Sequence, residues 1–208
     1  MSRVISSTGY AIGPKILDRL VETNQFLFDI SYAPENLIPG KGVGWKAILH
    51  VRRLHSQVRT RLHRLGKAHP KYYDIEKLGV AINQEDMLMT LVSLSSLIWD
   101  IMERRLGVTM STQEKEGYLH LWRYTGYLMG ASEETLALMA TTQKADATLE
   151  SLKMHLVHHN TTTGKSTATM VRNLAAKPII SRPIETIGGI LDPFTSHMAL
   201  IECVTTRE

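Results

Sequence analysis

The sequence predicts an all-α protein, and three observations carry that prediction. Apolar residues recur in steps of three and four, most plainly at Met87, Leu88, Leu91, Leu94, Ile98, Met102 and Leu106. Capping-box patterns begin at Asn83 and Ser111, each just ahead of such a run. No segment reads as a convincing strand. With 208 residues and 43% hydrophobic content the chain can bury a sizeable core, so the expectation is a single domain over residues 1–208 with antiparallel helices joined by short loops. No repeat at a period of 30 to 50 residues is visible, which argues against a helical solenoid.

Taken in order, Gly13-Pro14 opens the first helix with proline at a first helical position, and KILDRLVETNQFLFDI carries it to about Ile30. Its apolar face is Ile16, Leu17, Leu20, Leu27 and Phe28. Arg19 and Thr23 stand four residues apart on one face with Glu22 beside them, an arrangement that is ordinarily a solvated ridge. Residues 31–44 hold two prolines and three glycines and read as a loop.

The helix from Gly44 to about Leu65 is the most informative element. At 100° per residue from His55, Ile48 falls at about +20°, Leu62 at about −20°, Val51 at about −40° and Val58 at about −60°. His55 therefore points where the apolar stripe points, bordered along one side by Arg52 and Arg59 at about +60° and +40°. Two readings stay open: a hydrogen-bonded core histidine, or a metal or haem ligand with arginines beside it to pair an anionic cofactor edge.

A second loop, GKAHPKYYDIEKLGVAI, follows, and like the first it is placed to fold over a pocket. From Asn83 one long core helix is expected to Leu106, with Gly107 just past its end. Ser111 starts the helix that runs to Gly130, and Ser132 starts another that reaches about His159, weakened in its middle by Thr141, Thr142 and the Ala145 to Thr148 stretch. His155, His158 and His159 lack acidic or thiol companions at ligand spacing and read as surface histidines. Gly164-Lys165-Ser166 imitates the end of a phosphate-binding loop without its leading glycine or preceding strand, and is rejected. A last helix is expected over 166–176, followed by irregular chain with an apolar MALIECV stretch.

Composition narrows the function. The net charge of +4 comes from 24 basic against 20 acidic residues, with the excess concentrated at residues 52–71. Aromatic content is only 6% and no nucleic-acid motif accompanies the charge, so no nucleic-acid partner is expected. The single cysteine, Cys203, leaves no internal disulfide framework and fits a reducing compartment. No signal pattern and no membrane-length apolar stretch is present, so a soluble chain without a membrane span is expected.

Four blocks in fixed order give a more specific signal: R-x-x-x-T (Arg19, Thr23), R-x-x-H-x-x-V-R (Arg52, His55, Val58, Arg59), I-N-Q-E-D-M-x-x-T-L (Ile82 to Leu91) and Y-L-H-L-W-R-x-x-G-Y-L-M-G (Tyr118 to Gly130). Together they resemble the rubber oxygenase family, which takes in latex-clearing proteins and the endoplasmic-reticulum-bound oxygenase of mycophenolic acid biosynthesis. The likeness is good over residues 14–140 and loose beyond, as for a chain whose C-terminal part is short for the family. It implies a globin-like helical fold, a non-covalent b-type haem, and dioxygen-dependent oxidative cleavage of a C=C bond in an apolar, isoprenoid-type substrate.

Carried over by position, the resemblance makes His55 the proximal iron ligand and places Arg19 and Thr23 near the distal haem face. Arg52 and Arg59 are then the partners of the haem propionates. Glu22 stands where rubber-cleaving relatives carry a lysine; in a partly buried site it would take the part of the base, and the competing reading is that it only pairs with Arg19, three residues before it, and disables that arginine. The acidic residue those relatives place one helix earlier would fall near residue 3. A relative that binds haem or keeps only the fold, without turnover, is the alternative expectation, as is a helical interaction protein.

Overall fold

The computed structural model describes residues 16–154, which are all-helical with no strand among them. The expectations at His155, His158, His159, the 166–176 helix and Cys203 lie outside the described residues. The described residues divide between two compact units, one of residues 29–154 and one that takes the first helix up to residue 28. That helix, α1, spans Ile16–Ser31.

In the 29–154 unit a short 3-10 turn, Pro34–Leu37, leads into α2, Val43–Ala68, the longest helix described. Gly44 is what lets α2 start where it does, because a Cβ there would collide with the backbone of Asp29 and Ile30. The loop after α2 contains one helical turn, α3 (Ile75–Leu78), capped by the Asp74 carboxylate on the Lys77 N–H. The core is then built by α4 (Gln84–Leu94), α5 (Ser96–Leu106), α6 (Thr112–Met129), α7 (Glu133–Ala137) and α8 (Thr142–Leu152). Both capping boxes form: Asn83 with Asp86, and Ser111 with Glu114. Gly107 and Gly130 end α5 and α6 in the left-handed conformation that glycine adopts without a Cβ penalty.

The expected single helix from Asn83 to Leu106 is in fact two. Ser95, fully buried, donates its hydroxyl to the Leu91 carbonyl at 2.7 Å and takes φ −116°, ψ −84°, which breaks the ladder. The break turns the buried face. Met87, Leu88 and Leu91 are buried as expected, but beyond the break the core takes Leu97, Trp99 and Ile101, while Leu106 is exposed. The expected continuous helix from Ser132 to His159 is likewise interrupted, because Thr141 accepts from the Lys144 N–H as an N-cap and starts α8 afresh.

Packing radiates from α4 and α6. α6 lies against α2, α4, α7 and α8, and α4 also touches α5, α7 and α8. Gly126 makes the α6 contact close: a Cβ there would sit 2.7 Å from a Leu91 methyl and 3.0 Å from a Leu136 methyl. Trp99, 2% exposed, ties α5 to α8 through its indole N–H, which donates to Asp146 at 2.9 Å. No helix among the described residues is long and apolar enough to cross a membrane.

Candidate functional site

The buried stripe of α2 is closed at both ends and opens at its centre. Gly44 and Ile48 at one end, and Leu62 and Gly66 at the other, are buried. Midway and at about the same angle, Val51, His55 and Val58 are only half-covered. Of the five histidines in residues 16–154, His50, His63, His69 and His120 are exposed and His55 alone is not. Its Nδ1 is withdrawn from solvent. The sequence expectation for the direction of His55 therefore agrees with the structure, and His50 and His120 are poor substitutes for it as inward-facing donors.

The two arginines beside it are engaged in a way the sequence did not show. Arg52 donates through Nη1 to the Leu128 carbonyl at 2.9 Å, and its guanidinium lies over Gly130, at the C-terminal end of α6. Carbonyls at a helix C-terminus lack partners within the helix and carry the negative end of its dipole, so a cation there is doubly suited. Arg59 donates through Nε to Ala81 at 3.2 Å and through Nη2 to Ile82 at 2.6 Å. Ile82 is the one non-glycine residue of positive φ among those described, at 55°, a strained conformation for a β-branched side chain. Arg59 thus holds a turn that would otherwise relax.

A third side chain closes the circuit. Gln84, the first residue of α4, donates from Nε2 to the Gly130 carbonyl at 3.2 Å, while its Oε1 accepts from the Ser132 N–H at 2.9 Å and the Thr135 hydroxyl at 3.0 Å. The chain of bonds runs from Arg52 to the end of α6, through Gln84 to the start of α4, and through the Ile82 turn back to Arg59. It brackets His55, three residues before and four after, and fixes the rotation of α2. Gln84 was not singled out as a site residue from the sequence; its place one residue past an N-cap was the available signal.

Two more polar atoms were missed. On α6 the Thr125 hydroxyl, in a residue 2% exposed, and the Arg123 Nε are withdrawn from solvent with no hydrogen-bond partner among the described residues. Groups left so are costly unless something answers them, and both lie on the helix that packs against α2.

On α1, Glu22 and Thr23 are exposed, whereas Asn24, which falls among the apolar residues of that helix, is buried at 6% exposure. The partial burial that a base at Glu22 would use is not present. The Arg19 backbone belongs to the same helix. Among the described residues no three of His, Cys, Asp and Glu gather as a metal site.

Elsewhere titration is perturbed by ordinary means. Burial raises the Asp146 carboxyl above the usual carboxylate value, against the lowering effect of the Trp99 bond. Burial likewise raises Tyr118. A hydrogen bond from Lys115, at 2.6 Å, holds Glu103 low.

Comparison with known proteins points to the family that the four blocks resemble. Residues 6–199 match the family described as ER-bound oxygenase mpaB/B'/Rubber oxygenase, catalytic domain. A relative, the Rubber oxygenase of Streptomyces sp. (strain K30), is 26% identical over 122 residues, which are 59% of this chain and only 28% of that protein. No solved structure matches the chain.

Proposed function

Because the chain belongs to the ER-bound oxygenase mpaB/B'/rubber oxygenase catalytic-domain family, we propose that it is a haem b-dependent oxygenase. Its reaction would be oxidative cleavage of a C=C bond in an apolar, isoprenoid-type substrate, one dioxygen giving two carbonyl groups. The observation that carries the haem assignment is the break in the α2 stripe, where the one histidine of residues 16–154 that is not exposed stands between two half-covered valines. The donor chemistry fits as well. Among the described residues a single inward imidazole stands without clustered carboxylates or thiolates, which suits a cofactor that brings its own nitrogen donors.

His55 would then hold the haem iron through its imidazole. Arg52 and Arg59, already bonded to main-chain carbonyls, hold it in direction; a guanidinium has five N–H donors, so both retain donors for haem propionates. Bound haem would supply the dioxygen activation. Val51 and Val58 give the apolar wall that keeps water off the imidazole. By the resemblance Arg19 and Thr23 would supply the polar groups of the distal side, while Glu22, exposed, lacks the burial that would fit it to act as the base. The exposure of Glu22 and Thr23 favours a second reading, a haem-binding relative without turnover.

The test is the absorption spectrum of the chain expressed with added haem, before and after reduction and carbon monoxide, followed by carbonyl detection after incubation with a farnesyl compound. A haem spectrum with carbonyl release supports the oxygenase. Haem without product supports the second reading, and failure to bind haem sinks both.

A further inference from the structure

The outward side of α2 carries a feature the oxygenase reading does not use. From Val43 to Tyr73 the chain contains no aspartate or glutamate. Lys46, Arg53, Arg61, Arg64 and Lys67 are all exposed and fall between about 120° and 240° from His55, on the side of the helix opposite to it. They form a stripe about 32 Å long at 1.5 Å per residue. Among the described residues none of the five is held by a hydrogen bond or ion pair, in contrast to Arg52 and Arg59. Such a row of uncompensated cations repels itself and is relieved by a polyanion.

Its apolar neighbours narrow the choice of polyanion. Leu54 is 43% exposed and Val43 53% exposed, at about 260° and 240° along the edge of the stripe, and Tyr72 is 68% exposed just past its end. Beside the phosphates of a nucleic acid these side chains would stay in water. Beside a lipid headgroup layer they enter the acyl boundary, while the cations stay level with the phosphates and tyrosine sits at the interface.

We propose that the outward face of α2 docks flat on an anionic phospholipid surface. The helix would then present Lys46, Arg53, Arg61, Arg64 and Lys67 to headgroups and insert Leu54 and Val43 among them. The proposal does not depend on haem, so it stands or falls apart from the oxygenase reading.

The test is co-sedimentation of the whole chain with phosphatidylcholine vesicles, with and without phosphatidylserine. Binding is expected only with the anionic lipid, and is expected to disappear near 1 M salt, where the Debye length is about 3 Å. Each neutralised cation should weaken binding about fivefold, so Arg53→Gln/Arg61→Gln/Arg64→Gln should weaken it on the order of a hundredfold. Leu54→Ser should weaken vesicle binding by about tenfold through lost insertion. The variants are compared at equal helical melting, and the salt series on the parent chain probes the same attraction without any substitution. Equal binding to neutral vesicles, no binding to anionic ones, or an unaffected triple variant would overturn the proposal. So would tighter binding to duplex DNA or RNA than to the anionic vesicles, which would assign the stripe to nucleic acid.

Discussion

Arg59→Met in the haem-free protein separates a structural arginine from one that only meets a cofactor. The substitution keeps the aliphatic stem but removes the bonds to Ala81 at 3.2 Å and Ile82 at 2.6 Å. A hydrogen bond from a charged donor contributes about 1.5–3 kcal/mol, and these are partly buried, so two at the low end give about 3 kcal/mol. Against that stands the left-handed Ile82, whose release would return about 1 kcal/mol. The net expectation is a loss of about 2 kcal/mol, a fall in melting temperature of roughly 4–8 °C for a chain of this length. Arg52→Met, which removes one bond in an exposed setting, should lose about 1 kcal/mol or less. Urea and thermal melts of the two apo variants and the parent make the comparison. An Arg59→Met protein within about 0.5 kcal/mol of the parent, or an Arg52→Met loss larger than that of Arg59→Met, would refute the clamp.

Other substitutions test other links. His55→Ala should abolish haem binding and leave the circular dichroism almost unchanged, since alanine is the better helix former; a retained parental spectrum would remove His55 as ligand. Gly126→Val should destabilise by about 1–3 kcal/mol through overpacking against Leu91 and Leu136, read in a urea melt. The raised Asp146 carboxyl means that the folded chain holds this proton more tightly than the unfolded one. Its contribution to stability is full below the unfolded value of 3.8 and is lost as pH rises through the folded value, so Asp146→Asn should flatten the melt-versus-pH curve between 3.8 and the folded value. Cleavage of polyisoprene should be weak or absent beside that of a short farnesyl compound, and Glu22→Lys should raise it; ample aldehyde and ketone release from the polymer alone would contradict this.

What the sequence disclosed and what it hid follow from the range of the forces involved. Caps are local, so Asn83, Ser111, Gly107 and Gly130 announced their helix ends. The direction of His55 was also local, a matter of 100° steps along one helix. The break at Ser95 was hidden because the 3–4 spacing of apolar residues runs straight through it, and a serine's bond to the carbonyl four residues back leaves no mark on that pattern. The partners of Arg52 and Arg59 were hidden for a different reason. They are backbone carbonyls 76 and 22 or 23 residues away, and a carbonyl has no residue type by which to be recognised.

That last point changes what the spacing within the four blocks means physically. The block around His55, the block from Ile82 and the end of the block at Gly130 are the three pieces that Arg52, Arg59 and Gln84 tie together. The spacing within each block lets a side chain on one reach the main chain of another. A likeness built on these three therefore bears first on how α2 is held, and so on the direction of one imidazole. It bears less on what is done to a substrate. Under the proposed oxygenase reading the distal side would rest on the remaining block, Arg19 and Thr23, where Glu22 replaces the lysine expected from the resemblance and where Thr23 stands exposed. On that reading two chains could share the clamp, hold the same histidine, and differ in substrate through a single helix.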